Sequence, residues 1–374
     1  MPSRALPHSA RTVRERRPVV LGVDLTTAGA RAHRTPGAAV PRPFDGERFT
    51  RLVRTADKGL LDLVVLDEPF LLHPGRSRMS GRLDGAVAAA RVAPLTSGIG
   101  LVATLDTMHL EPAHVAAAIA AVDRASSGRS GWQVGCPAGV SPTDDRWPAK
   151  VAADVARVVR VWGNEGDSGS VTLDAEGRVR VDHDGIRFAV RPAPTTHTAL
   201  PQGRPPVVMR VYDERCSGAA GANADVVRIV TADPERARQL RAAVADAAAA
   251  AGRDPRAVRV LTEAYVVLAA NRDAAEARLA MLEALEPGGV GGGSLTVAGT
   301  PAQLAGVVQE WVDAGATDGF LLRPAALDAD LEAVVSGLVP ILQQRGLFRL
   351  QRDPGATLQE SLGLGPEREL LATG

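Results

Sequence analysis

The sequence predicts an eight-stranded parallel α/β barrel of the (β/α)8 TIM-barrel class, with a β-rich insertion around residues 163–205. Three observations predict it. Short apolar runs recur along the 374 residues, most of them followed by a stretch whose apolar residues fall at helical spacing. The runs are apolar throughout and do not alternate, as expected of parallel strands covered on both faces. The first run ends in Asp24-Leu25-Thr26-Thr27, without the Gly-x-Gly-x-x-Gly turn of a doubly wound dinucleotide sheet.

Residues 1–17 contain Arg and Pro without periodicity and form an N-terminal arm before the barrel at 18–349 and a tail at 350–374. Arg16-Arg17 precedes an apolar run, but Asp24 interrupts that run too early for an export core. The same run, Val19–Asp24, is the first strand. A Gly- and Pro-containing loop over 28–44 leads to a helix on Phe49, Leu52, Val53 and Ala56, closed by Gly59. Leu63–Leu66 is strand two. A helix over 83–96, with Leu83, Val87 and Ala90 on one face, precedes strand three, Ile99–Ala103.

The next helix carries Val115, Ile119 and Val122, and strand four is Trp132–Val134. A helix from Trp147 to Trp162 buries Val151, Val155, Val158 and Val159. In the insertion, Val171–Val181 reads as a hairpin around Ala175-Glu176-Gly177, and Ile186, Phe188 and Val190 alternate as a further strand. Strands five to seven are Val207–Val211, Val226–Val230 and Val258–Leu268, with a helix over Pro234–Ala251. A helix over Ala274–Leu285 is followed by a glycine tract, 288–293. The tract lacks the preceding strand and following Gly-Lys-Ser of a phosphate cradle, so it reads as a loop. Helix Pro301–Ala314, strand eight at Gly319–Leu322 and helix Leu327–Gln344 close the barrel.

Composition excludes several classes. Net charge is zero, from 43 basic and 43 acidic residues, unlike the basic footprint of a nucleic-acid binder. No apolar stretch is long enough to span a bilayer. Cys136 and Cys216 make no disulfide framework, which points to a reducing cytoplasm. The seven histidines are scattered without ligand spacing, so no metal site is expected.

In a barrel of this kind chemistry sits where strands end. Asp24, Asp67, Thr104, Cys136, Asp213, Glu263 and Arg323 are thereby placed around one mouth. Taken singly, each reads as well as a helix cap or a satisfier of loop amides. Together they name no reaction, and no proton-transfer residue stands out.

Beyond periodicity, certain motifs occur in a recognisable order. They are Thr-Ala-Asp-Lys-Gly-Leu-Leu-Asp (55–62), Thr-Ser-Gly-Ile-Gly-Leu-Val-Ala-Thr (96–104), and Asp123 leading to Ser-Gly-Arg-Ser-Gly-Trp (127–132). Further on come Pro-Gln-Gly-Arg-Pro-Pro-Val-Val (201–208), Gly-Thr-Pro (299–301), Asp-Gly-Phe (318–320) and Val-Pro-Ile-Leu-Gln-Gln-Arg-Gly-Leu-Phe-Arg (339–349). This series resembles the bacterial-luciferase-like flavin-dependent monooxygenase superfamily, nearest its nitrilotriacetate monooxygenase and dibenzothiophene-desulfurising branch. The resemblance implies reduced FMN supplied by a separate flavin reductase, activation of O2 on the flavin, a small-molecule substrate, and a homodimer or tetramer.

The resemblance also nominates cofactor-binding residues. Asp67 and Thr104 would hydrogen-bond the flavin ring, Gln133 and Cys136 stand in the strand-four motif, and Arg146 and Trp147 would close the site. The family's Asn-x-Val-Thr-Ser run is replaced by Gln133-Val134-Gly135-Cys136. Its phosphate-binding Gln-Ala-Gly-x-Ser-x-x-Gly aligns with 209–216, where Asp213 and Glu214 would repel a phosphate and Arg210 or Arg215 would offset them. These departures keep two alternatives open: a barrel with a structural or partner-binding role, and a deazaflavin-dependent reductase.

Overall fold

Eight parallel strands close on themselves in the order β1 (Val20–Asp24), β2 (Leu63–Leu66), β3 (Gly100–Leu105), β4 (Ser130–Val134), β7 (Val207–Val211), β8 (Val226–Ile229), β9 (Arg259–Leu268) and β11 (Gly319–Pro324), which pairs back to β1. This architecture comes from a computed structural model that describes residues 17–25, 46–66, 84–107, 110–135, 146–164, 179–183, 186–190, 200–285 and 291–364. The predicted barrel class is the observed one. The arm before residue 17 and the 175–177 turn lie outside the described residues.

The outer helices are α1 (Gly46–Lys58), α2 (Gly85–Val92), α3 (Pro112–Ser126), α4 (Arg146–Asn164), α5 (Glu214–Asn223), α6 (Pro234–Ala250), α7 (Arg272–Leu285) and α8 (Pro301–Asp313). A last outer helix runs as α9 (Leu327–Ala333), a π turn (Val334–Leu338) and α10 (Val339–Gln344). The sequence predicts it as one regular helix. The π turn comes just ahead of Pro340, which has no N–H to donate. Strand residues at alternate positions face this helical shell, where Leu21, Leu101, Trp132, Val207, Ile229 and Phe320 join one core.

Four elements depart from the expectation or add to it. In α2 the buried residues are Ala86, Ala88, Ala89 and Val92, whereas Val87 is 63% exposed. The small alanines, not Val87, let this short helix lie close on the sheet. In the insertion β5 (Val179–His183) pairs antiparallel with β6 (Ile186–Val190), a pairing added to the expectation, whose own hairpin over 171–181 falls mostly outside the described residues.

The third difference is a ninth parallel strand, β10 (Leu295–Gly299). The ten-residue β9 is longer than its neighbours. Arg259 to Thr262 pair with β8, and Ala264 to Leu268 then pair with β10 along the same edge. Last, residues 350–364 do not trail away. The short helix α11 (Leu358–Ser361) brings Leu358 and Leu362 into an apolar cluster with Val20, Leu63, Val102, Val208, Val226, Leu261 and Leu321 inside the barrel. Gly100 leaves the space that Leu358 fills, since a Cβ there would overlap it. Three arginines hold this plug: Arg259 donates to the carbonyls of Leu362 and Gly363 at 2.7 and 2.9 Å, Arg349 pairs with Asp62, and Arg352 pairs with Asp57 at 2.5 Å.

Candidate active site

The inward faces of the strands change chemistry along the barrel axis. At the amino end they are apolar and closed by α11. Two residues further along seven of the eight strands, the inward residue is polar or charged. The pairs are Gly22 and Asp24, Val102 and Thr104, Gly131 and Gln133, Val208 and Arg210, Val226 and Arg228, Leu261 and Glu263, and Leu321 and Arg323. Barrel interiors are ordinarily filled with branched apolar side chains. A layer of ionic groups costs desolvation energy that an apolar layer would not, so its place at the carboxyl end makes that end the candidate site.

Arg228 is the centre of the layer. Its side chain is 1% exposed, and Nη2 lies 3.0 Å from Glu263 Oε1 and 3.4 Å from Asp24 Oδ2. Arg210 Nε donates to Glu263 Oε1 at 2.8 Å, and its Nη2 lies 3.9 Å from Asp24. Arg323 Nη1 stands 3.8 Å from Glu263 Oε2. Burial pushes the Glu263 carboxyl up, but the charges of Arg210, Arg228 and Arg323 outweigh it and hold it down at about 2. Glu263 is therefore ionised wherever the protein works.

From Arg228 a chain of hydrogen bonds runs to the opposite wall. Arg228 Nη1 donates to Gln133 Oε1. This fixes the amide so that Gln133 Nε2 donates to Thr104 Oγ1 at 3.0 Å. Thr104 thus spends a lone pair on Gln133 and keeps its own O–H to donate. That hydrogen has no acceptor among the described residues, although Thr104 is only 4% exposed. A buried donor aimed into the mouth calls for a ligand acceptor.

The sequence-predicted residues divide accordingly. Thr104, Gln133 and Arg210 are brought together in this layer. Asp213 and Arg215 are not. Asp213 caps α5, its Oδ1 accepting from the backbone N–H groups of Arg215 and Cys216 at 3.0 and 3.2 Å. Arg215 has a 58% exposed side chain on α5 and bonds Asp213 Oδ2 at 3.1 Å. Glu214 is exposed and pairs with Arg236 of α6. The amide donors at the start of α5 are thus already used by a carboxylate, which suits a helix cap and not a phosphate. Arg146 and Trp147 open α4, which follows β4 at the mouth; their side chains, like Asp67 and Cys136, lie outside the described residues. Cys216 is buried, which pushes its thiol up and leaves it a poor nucleophile.

Arg228 is the residue that sequence reasoning passes over. Its signal is an arginine inside Val226-Val227-Arg228-Ile229, a strand buried on both faces. In a closed barrel such a side chain can point only to the shell or to the lumen. Among the described residues no three His, Cys, Asp or Glu form a group able to hold a metal. No helix among them is long and apolar enough to cross a membrane.

Comparison with known proteins supplies the family of this chain. The family model of the luciferase-like monooxygenases matches residues 22–288. The chain is 26% identical to N-acetyl-S-(2-succino)cysteine monooxygenase of Bacillus subtilis (strain 168), covering 94% of this chain and 97% of that protein. It is 24% identical to nitrilotriacetate monooxygenase component A of Aminobacter aminovorans, covering 91% and 94%. Among solved structures, the EDTA monooxygenase of Chelativorans sp. BNC1 superposes with a TM-score of 0.76 at 22% identity, over 94% of this chain and 99% of that one.

Proposed function

We propose that this chain, which belongs to the luciferase-like monooxygenase family, is the oxygenase of a two-component system that takes reduced FMN from a separate reductase and oxidises a small organic substrate with O2. Its class is that of the flavin-dependent monooxygenases. The observation that carries the finer reading is the unspent Thr104 hydroxyl at the end of the Arg228–Gln133–Thr104 chain. An isoalloxazine ring edge offers the carbonyl and ring-nitrogen acceptors that such a donor requires, so the ring fits these residues. The start of α5 does not fit the phosphate.

When bound, the reduced flavin supplies the electrons that activate O2. The chain's own residues do the rest. Thr104 would donate to the ring edge, held at its angle by Gln133. Arg228 fixes the Gln133 amide and is itself held by Asp24 and Glu263. Because this scaffold is tied into β1, β3, β4, β8 and β9, it is preorganised and does not have to rearrange on binding. Among the described residues the apolar layer and the α11 plug shut the amino end of the barrel, which would keep water from a bound ring on that side.

An anaerobic titration tests the reading. Reduced FMN, oxidised FMN and a reduced deazaflavin are each equilibrated with the protein by dialysis. Saturable micromolar binding of reduced FMN is expected, and the absence of binding up to millimolar concentration would overturn it. Tighter binding of the deazaflavin would reassign the cofactor.

A further inference from the structure

The glycine tract and Arg323 meet at one place on the rim. Gly291, Gly292 and Gly293 have φ of 80°, 60° and 85°, a left-handed backbone that a residue with a Cβ seldom adopts. A Cβ on Gly291 would also stand 2.9 Å from Thr296 Oγ1. The turn presents the Gly291 carbonyl to Arg323, whose Nη1 donates to it at 2.8 Å. The same nitrogen reaches Ser294 Oγ at 3.3 Å, and the Ser294 hydroxyl donates to the same carbonyl. With Glu263 at 3.8 Å, every tie that Arg323 makes among the described residues falls on Nη1.

That leaves an asymmetric guanidinium. One nitrogen is anchored by the turn and Ser294, while the Nε–Nη2 edge has no partner among the described residues. The side chain is 29% exposed at the carboxyl end of β11, beside Glu263. An Nε–Nη2 edge matches the two oxygens of a carboxylate, giving parallel charge-assisted hydrogen bonds.

We propose that the Nε–Nη2 edge of Arg323 binds a carboxylate group of the substrate, so that this barrel selects a small carboxylate-bearing molecule. The proposal rests on the reading of the mouth as the reaction site. Glu263 keeps the guanidinium from swinging away and the glycine turn sets its height above the barrel. Arg323 is a specificity-determining residue here, without a part in proton transfer.

The test is calorimetric titration of the full chain, without flavin, using succinate and its neutral isostere succinamide at low ionic strength. Succinate should saturate at millimolar concentration or below, with succinamide at least about tenfold weaker. Arg323→Gln should weaken succinate by a similar factor, and Arg323→Lys, which keeps the charge and loses the fork, should fall between. Equal binding of the two probes, or unchanged succinate binding in Arg323→Gln, would overturn the proposal. Should the variant fail to fold, phenylglyoxal modification of the unaltered protein, mapped by peptide mass spectrometry, gives a second readout. Succinate should slow labelling of Arg323, and unaltered labelling would count against the site. Flavin binding without succinate binding overturns the anion site and leaves the oxygenase reading intact. Succinate binding without flavin binding supports the anion site and removes the oxygenase reading.

Discussion

Replacing Glu263 by Gln tests the electrostatic design of the mouth at its densest point. The carboxylate accepts from Arg210 at 2.8 Å and lies 3.0 Å from Arg228 and 3.8 Å from Arg323. Burial alone would push its pKa up, yet the three arginines hold it near 2, against 4.5 for an ordinary glutamate. A depression of that size corresponds to roughly 3 kcal/mol favouring the ionised folded state. A depressed carboxylate contributes fully above its unfolded pKa and loses the contribution as pH falls through the folded value. The stability gap between Glu263→Gln and the unaltered chain should therefore be about 3 kcal/mol at pH 7 and shrink to about 2 kcal/mol at pH 3.5. Urea denaturation followed by tryptophan fluorescence at both pH values measures it. A gap below about 0.5 kcal/mol at pH 7, or one that widens on acidification, would refute the reasoning, since surface-type pairs are worth no more than that.

Other expectations follow from the same geometry. Leu358→Ala opens a void in the amino end of the barrel and should cost about 2–5 kcal/mol in denaturation experiments, with removal of residues 350–374 costing more; a change within error would mean the plug is dispensable. FMN and riboflavin should bind the unaltered chain with similar affinity, because Asp213 occupies the donors at the start of α5. Asp213→Ser combined with Glu214→Ala keeps a capping residue and releases Arg236, so FMN should tighten about tenfold while riboflavin stays unchanged; parallel changes in both ligands would place the phosphate elsewhere. Thr104→Val removes the unspent donor at nearly constant volume and should weaken reduced FMN by about three- to thirtyfold, at a stability cost of about 1–3 kcal/mol because the buried Gln133 Nε2 loses its acceptor; loss of stability with unchanged affinity would make Thr104 merely structural.

The barrel is legible in the sequence because its strands are apolar runs bounded by helical periodicity, and a two-sided buried strand has no other composition. Position β10 escapes such a reading. Leu295-Thr296-Val297-Ala298-Gly299 is short and only half buried, and it exists because β9 outruns β8. The α11 plug escapes for a related reason: Leu358 and Leu362 look unremarkable until the barrel's open end supplies a place for them.

At the site, Thr104, Gln133 and Arg210 are reached through motif order. Arg215 fails because parity breaks where a strand gives way to a helix, and Asp213 takes the cap instead. Arg228 and the role of Arg323 depend on which neighbour fills the lumen beside them. That is a property of the closed sheet and of the Gly291–Gly293 turn, and neither is visible in any one stretch of chain.

The location of the cofactor is the central claim, and a crystal structure of the protein loaded anaerobically with reduced FMN tests it most directly. The ring edge should lie within hydrogen-bond distance of Thr104 Oγ1, above the Gln133–Arg228 layer. A ring seated away from Thr104, with that hydroxyl bonded to another part of the chain, would contradict the account.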